Sequence, residues 1–171
     1  MRPNLTRNAF LPPVEFTEAC AILPLVSIDW VLTNASCQLL LGKRNNEPAR
    51  DYWFTPGGRI RKGEPLSSAK FRIAKEELGL SVEVLDRAIL MGAWDHFYSN
   101  SAFDSSVSTH YVNLPHWVQI SEVDKLDLVL PSGATEQHSA WQWFDLTDAS
   151  GSDVVHPYVR VYAQWVADRI I

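Results

Sequence analysis

The 171 residues carry 15 Lys and Arg against 20 Asp and Glu, a net charge of −5, and 46% of them are apolar. That length leads us to expect one compact domain over 1–171. The charge argues against a nucleic-acid polyanion as partner, but leaves a small phosphorylated ligand open, because local Arg and a metal ion override a mild global charge. Seven Trp, seven Phe and five Tyr supply a core with aromatics to spare. Cys20 and Cys37 have neither metal nor redox spacing and read as buried thiols. No stretch reaches the length of a membrane helix, Pro24 interrupts the most apolar early segment, and the N-terminus lacks the order of a signal peptide. No membrane partner and a cytoplasmic location are therefore expected.

In chain order, residues 1–13 are Pro- and Asn-rich and read as an arm. Glu15 to Ala21 predicts a short helix. Leu25 to Thr33 and Cys37 to Lys43 predict two strands joined by the polar turn Asn34-Ala35-Ser36. Trp53 lies near a strand that enters Thr55-Pro56-Gly57-Gly58, which is turn chemistry. Leu66 to Leu78 is good helix former, with Pro65 before it and Gly79 as a stop. Val82 to Leu85 and Ala88 to Trp94 read as extended. Ser99 to Ser106 is a polar loop. Val107 to Leu114, Trp117 to Ser121 and Trp141 to Phe144 read as strands, with Leu126 to Gly133 irregular. Val155 to Arg169 has helical spacing.

The segment Gly58 to Leu80 carries the chemistry. Its fixed points are Gly58, Glu64 after five residues, Arg72 after seven more, then Glu76, Glu77, Gly79 and Leu80. Two glycines let the backbone approach a ligand closely. Arg72 and Glu76 stand four apart on the helix and can pair. Glu76 and Glu77 sit about 100° apart around the axis and can turn oxygens toward one hard cation. A surface helix with a chance run of charges is the bland alternative, and the preceding Gly-Gly loop counts against it.

This spacing resembles the Nudix box, G-x5-E-x7-R-E-U-x-E-E-x-G-U, with Ile73 where the pattern has Glu and Ala74 in the apolar slot. The resemblance implies an α/β fold, a Nudix-type α/β/α sandwich with a mixed central sheet, and metal-assisted hydrolysis of nucleoside diphosphate derivatives. The segments Pro24 to Asp29, Leu41 to Arg44, Tyr52 to Arg59, His96-Phe97-Tyr98, Thr109 to Val112 and Glu136-Gln137-His138 look like one branch, the GDP-mannose mannosyl hydrolases. That branch also lacks a Glu at the Ile73 position. Losing this carboxylate makes multi-metal chemistry at phosphorus harder, whereas attack at sugar C1 passes an oxocarbenium-like state with a diphosphate leaving.

The resemblance implies the roles as well. The Gly57 carbonyl, Glu77 and Gln137 would hold Mg²⁺ or Mn²⁺, with Glu76 as a helper. His138, read as a loop residue, would be the general base. Arg44 and Arg59 would bind the diphosphate, a task suited to the guanidinium fork. Asp29 would orient the sugar or the base region, and Tyr111 would donate to the diphosphate. Arg72 would organise the box through Glu64 or Glu77. Phe10, Leu11 and Phe16 align with a segment that contacts guanosine, and the branch implies a homodimer. His96 reads as a substrate contact or as one member of an aromatic cluster. In a strand, only one of His110 and Tyr111 faces the site. Three functions stay open: hydrolysis of GDP-mannose or GDP-glucose at carbon, pyrophosphate cleavage at phosphorus, and a non-catalytic binding module.

Overall fold

A computed structural model describes residues 11–133 and 136–170. Its elements are α1 (Pro13–Ile22), β1 (Leu25–Thr33), β2 (Gln38–Arg44), β3 (Trp53–Phe54), β4 (Gly57–Arg59), α2 (Leu66–Leu78), α3 (Val82–Leu85), β5 (Ile89–Leu90), β6 (Trp94–Tyr98), β7 (Thr109–Asn113), β8 (His116–Gln119), α4 (Glu122–Leu126), β9 (His138–Asp145), α5 (Leu146–Gly151) and α6 (Pro157–Ile170).

Strand β1 organises the sheet. It pairs antiparallel with β2 and β4 and parallel with β7 and β8, so the sheet is mixed. β2 extends the sheet to β3 and β9, and β7 extends it to β6. Successive side chains of a strand point to opposite faces. Accordingly Ile28, Trp30 and Leu32 enter one core with Ile73, Ala74 and Leu78 of α2. Val31 enters the other with Val159, Ala163 and Val166 of α6. Asp29 shares the Val31 face, which puts a carboxylate on the α6 side of the sheet. This is the expected α/β sandwich.

Leu25–Thr33 and Leu66–Leu78 form as their patterns predict. The Asn34 turn closes with the Asn34 carboxamide oxygen accepting from the Ser36 and Gln38 backbone nitrogens. Two readings need correction, and one helix was not read. Val82–Leu85 is a short helix, not extended; it buries Val84 and Leu85 in one turn, and so short a run carries no helical period. Ala88 to Trp94 is not one strand: Gly92 at φ +131° breaks it between Leu90 and Trp94. Glu122–Leu126 is helical, and the reciprocal cap between Ser121 and Asp124 starts it. Among the described residues no helix is long and apolar enough to cross a membrane.

Gly79 ends α2 in the left-handed region at φ +71°, its N–H donating to the Lys75 carbonyl. A Cβ there would come within 2.9 Å of Val129. Gly79→Ala should therefore lower stability by about 1–2 kcal/mol in denaturant unfolding. An unchanged midpoint would show that Val129 yields and that the turn tolerates a side chain.

Candidate active site

The site is built where the Gly57-Gly58 turn is pressed between β1 and α2. Trp30 N–H donates to the Pro56 carbonyl, and Gly57 lies opposite Asp29 in the ladder. A Cβ on Gly57 would collide with Asp29 Oδ1 and the Ile28 carbonyl. On the other side, Gly58 faces Ile73, whose Cγ1 would stand 3.3 Å from a Cβ there. Ile73 is 1% exposed and belongs to the α2 core, so the position that resembles a ligand slot is filled by packing.

Arg72 fastens helix to loop. Its Nε donates to Glu64 Oε1 at 2.6 Å, and Nη2 donates to Glu64 Oε2 at 2.8 Å and to the Arg59 carbonyl at 3.0 Å. Nη1 reaches Glu76 Oε2 at 3.0 Å. Arg72 thus organises the box through Glu64, as expected, and through Glu76 rather than Glu77. The guanidinium holds the Glu64 carboxyl below the usual carboxylate range. Glu76 is half exposed and also lies 3.7 Å from Arg61, so ion pairs occupy the residue read as a metal helper.

Two clefts meet at Gly57, Gly58, Arg59 and Gln137. Asp29, Arg44, His96, Tyr98, Tyr111 and Asn113 line the first, whereas Ile73, Glu76 and Glu77 line the second. Arg44 is half-buried at the end of β2, and among the described residues its buried Nε has no partner. A buried guanidinium N–H left unpaired is costly, and an anion would satisfy it. Arg59 lies over the Phe16 ring at 4.7 Å. Tyr111 faces the cleft, its phenol pushed up to about 12 by burial. The neighbouring His110 instead pairs with Asp95 at 2.9 Å on the opposite face.

The second cleft suits a hard cation. Burial raises the Glu77 carboxyl to about 7, with Glu76 and Glu136 adding to the rise and Arg44 opposing it. A cation would relieve that strain on the charged form. Among the described residues no three His, Cys, Asp or Glu side chains form a ligating group. Glu77, with the Gln137 amide and the Gly57 backbone lining the same cleft, could offer oxygen donors, which would suit Mg²⁺ or Mn²⁺ better than a softer metal.

Other expectations are redirected. His138 is not on a loop: β9 pairs with β2 as far as Arg44 opposite His138, and this draws the residue into the ladder. It is 1% exposed, its ring lies over Gly42 and 4.4 Å from the Trp141 ring, and it lines neither cleft. Burial, with Arg44 nearby, pushes its pKa down to about 3, so the ring is neutral; among the described residues its buried Nε2 has no partner. Phe16 is buried behind Arg59, edge-on to Phe103, outside both clefts. Leu11 lies outside them too, and Phe10 falls outside the described residues.

Sequence reasoning missed Tyr98, Asn113 and Tyr162. Asn113 stands two residues from Tyr111, so strand alternation already placed both on one face. Tyr98 stands two from His96 in the same way. Tyr162 lies on the buried face of α6 between Val159 and Val166. A buried phenol there needs a polar partner, but nothing local names one.

The NUDIX domain family model matches residues 23–167. The low-salt glycan biosynthesis protein Agl8 of Haloferax volcanii is 36% identical over 152 residues, which cover 89% of this chain and 88% of that protein. The crystal structure of a MutT NUDIX hydrolase from Burkholderia pseudomallei is similar, with a TM-score of 0.62 and 25% identity over 84% of this chain and 98% of that one. The dihydroneopterin triphosphate pyrophosphohydrolase of E. coli shares the fold, with a TM-score of 0.61 and 21% identity over 84% of this chain and 95% of that one.

Arg72→Ala should lower stability by about 1.5–3 kcal/mol at neutral pH, because Glu64 loses its charged donors. Glu64 is depressed in the fold, so the pair stabilises above the ordinary glutamate value of 4.5 and stops doing so as pH falls through the lower folded value. The gap between parent and variant in denaturant melts should shrink over that acid range. A gap independent of pH would mean Arg72 acts by packing alone.

Proposed function

The chain belongs to the Nudix family, and on that premise we propose that it hydrolyses a nucleotide sugar, GDP-mannose or GDP-glucose, to GDP and free sugar by water attack at C1 with inversion. The observation that carries this reading is Ile73. It fills a box position with core packing and leaves Glu77 as the carboxylate of the metal side. A metal site with fewer carboxylates suits the departure of a diphosphate better than attack on phosphorus. The glycan-biosynthesis name of the Haloferax relative is in keeping with a sugar substrate.

In this reading Gly57, Glu77 and Gln137 hold Mg²⁺ or Mn²⁺, with Glu76 serving Arg72 instead. Once bound, the ion neutralises charge on the leaving diphosphate. Arg44 and Arg59 bind that group, and Tyr111 donates a hydrogen bond to it. Asp29 and His96 orient the sugar. His138 takes the proton of the attacking water, for which its ring must leave its seat on Gly42. Asp29 is the rival base, because it lines the first cleft and burial raises its carboxyl to about 6. Phe10, Leu11 and Phe16 contact the guanosine in this reading, Leu11 and Phe16 through a rearranged N-terminal segment or a homodimer. Pyrophosphate cleavage is the second reading, and a non-catalytic module the third.

A panel of nucleotide sugars separates the three. The expected products are GDP and free sugar, formed only with a divalent ion. GMP with a sugar 1-phosphate would establish the second reading, and binding without turnover the third. Glu77→Gln should sharply weaken activation by the ion, and Glu76→Gln should do less; equal, severe losses would make both residues ligands. His138→Ala should lower turnover by roughly 10² to 10⁴ with little change in affinity for GDP. Turnover like the parent's would hand the base role to Asp29.

A further inference from the structure

Tyr162 is fully buried, and its hydroxyl stands among three polar groups of the first cleft. It lies 2.8 Å from His96 Nε2, 3.3 Å from Asp29 Oδ2 and 3.3 Å from Asn113 Oδ1. These partners come from β6, β1 and β7, while Tyr162 comes from α6, so one oxygen ties the last helix to three strands. The ring is held by the apolar face of α6 and by Trp94, edge-on at 5.5 Å. The far end of the network is fixed as well: Asn113 Nδ2 donates to Ser27 Oγ at 2.8 Å.

The protons in this cluster can be counted. A phenol has one proton to donate and two lone pairs. Asn113 spends one of its two amide protons on Ser27 and turns its oxygen toward Tyr162. The Asp29 carboxylate accepts only. The phenol proton is therefore drawn toward these two acceptors, at the longer distances. The shortest contact, to His96, then needs the ring nitrogen as donor. His96 is a neutral ring, so a proton on Nε2 leaves Nδ1 as an acceptor. The ring cannot easily turn to change this, because it stacks on Tyr158 at 3.9 Å with the planes 3° apart.

We propose that Tyr162 is a positioning residue of the first cleft, whose hydroxyl orients Asp29 and Asn113 and fixes His96 as the Nε2–H tautomer. The inference rests on the reading of this cleft as the sugar end of the site. It gives the cleft two chemical ends. Arg44 and Arg59 present donors to a diphosphate, while Asp29 and the bare Nδ1 of His96 present acceptors, which take hydroxyl groups and repel phosphate. Tyr162 touches none of the substrate in this arrangement; it keeps the acceptor end in register with the donor end.

The test is nitrogen-15 NMR of the histidine rings near neutral pH, with His96 assigned by its loss in a His96→Gln protein. The parent should show the Nε2–H pattern for His96, and Tyr162→Phe should convert it to a mixture of tautomers. In parallel, Tyr162→Phe should lower kcat on the nucleotide sugar by about tenfold or more, while the inhibition constant of GDP stays within about twofold. An Nδ1–H pattern in the parent overturns the proposal, and that spectrum needs no variant to fold. A variant with the parent's tautomer and turnover overturns it too. A parent that shows the expected tautomer but cleaves no nucleotide sugar supports the hydrogen-bond assignment and overturns the functional reading instead.

Discussion

The structure hangs on one guanidinium. Arg72 spends its donors on Glu64 in the connecting loop, Glu76 one turn along α2, and the carbonyl of Arg59 in β4. Arg59 closes the ladder opposite Ser27, and Gly57 stands opposite Asp29. The clasp therefore fixes α2 against the Gly57-Gly58 turn, and with it the place of Glu77. Glycine is required at position 57 because the turn runs against Asp29 and Ile28 with no space for a side chain. A flexible Lys could supply the charge of Arg72 but not the fork that reaches loop, helix and strand together.

Strand β1 divides the labour. Its alternation sends Ile28, Trp30 and Leu32 to the α2 core, while Asp29 and Val31 face α6. Buried at 5% exposure, Asp29 would be unfavourable without partners. The Tyr162 hydroxyl lies 3.3 Å from its Oδ2 and Arg44 adds a favourable charge, yet burial still dominates and lifts its carboxyl. The same logic explains Arg44, which sits near four groups of negative or phenolic character and, among the described residues, has no direct ion pair and an unpartnered Nε. An anion between Arg44 and Arg59 would complete both halves of this charge arrangement.

Much of this was legible in the sequence, and the limits are physical. β1 and α2 were read to the residue because each carries a long, clean pattern. The box spacing located Glu64, Arg72 and Glu77 on one loop and helix. The short helices α3 and α5 were not legible, since fewer than two turns leave too few residues for a period. The cap Ser121-x-x-Asp124 was a usable signal for α4 that the reading passed over. His138 was misplaced because its setting depends on a distant residue: Gly42, on β2, leaves the room that the ring fills. Tyr162 likewise meets Asp29, His96 and Asn113 only through the tertiary fold, so no local spacing could announce it.

The central claim is that water attacks carbon rather than phosphorus. Hydrolysis of GDP-mannose in water labelled with oxygen-18 tests it most directly, because products alone do not tell which bond to the bridging oxygen breaks. Attack at C1 puts the label in the free sugar, released first as the β anomer, and leaves GDP unlabelled. Label in GDP, or in GMP or a sugar 1-phosphate, would mean that phosphorus is attacked and that Ile73 has no bearing on the bond cleaved.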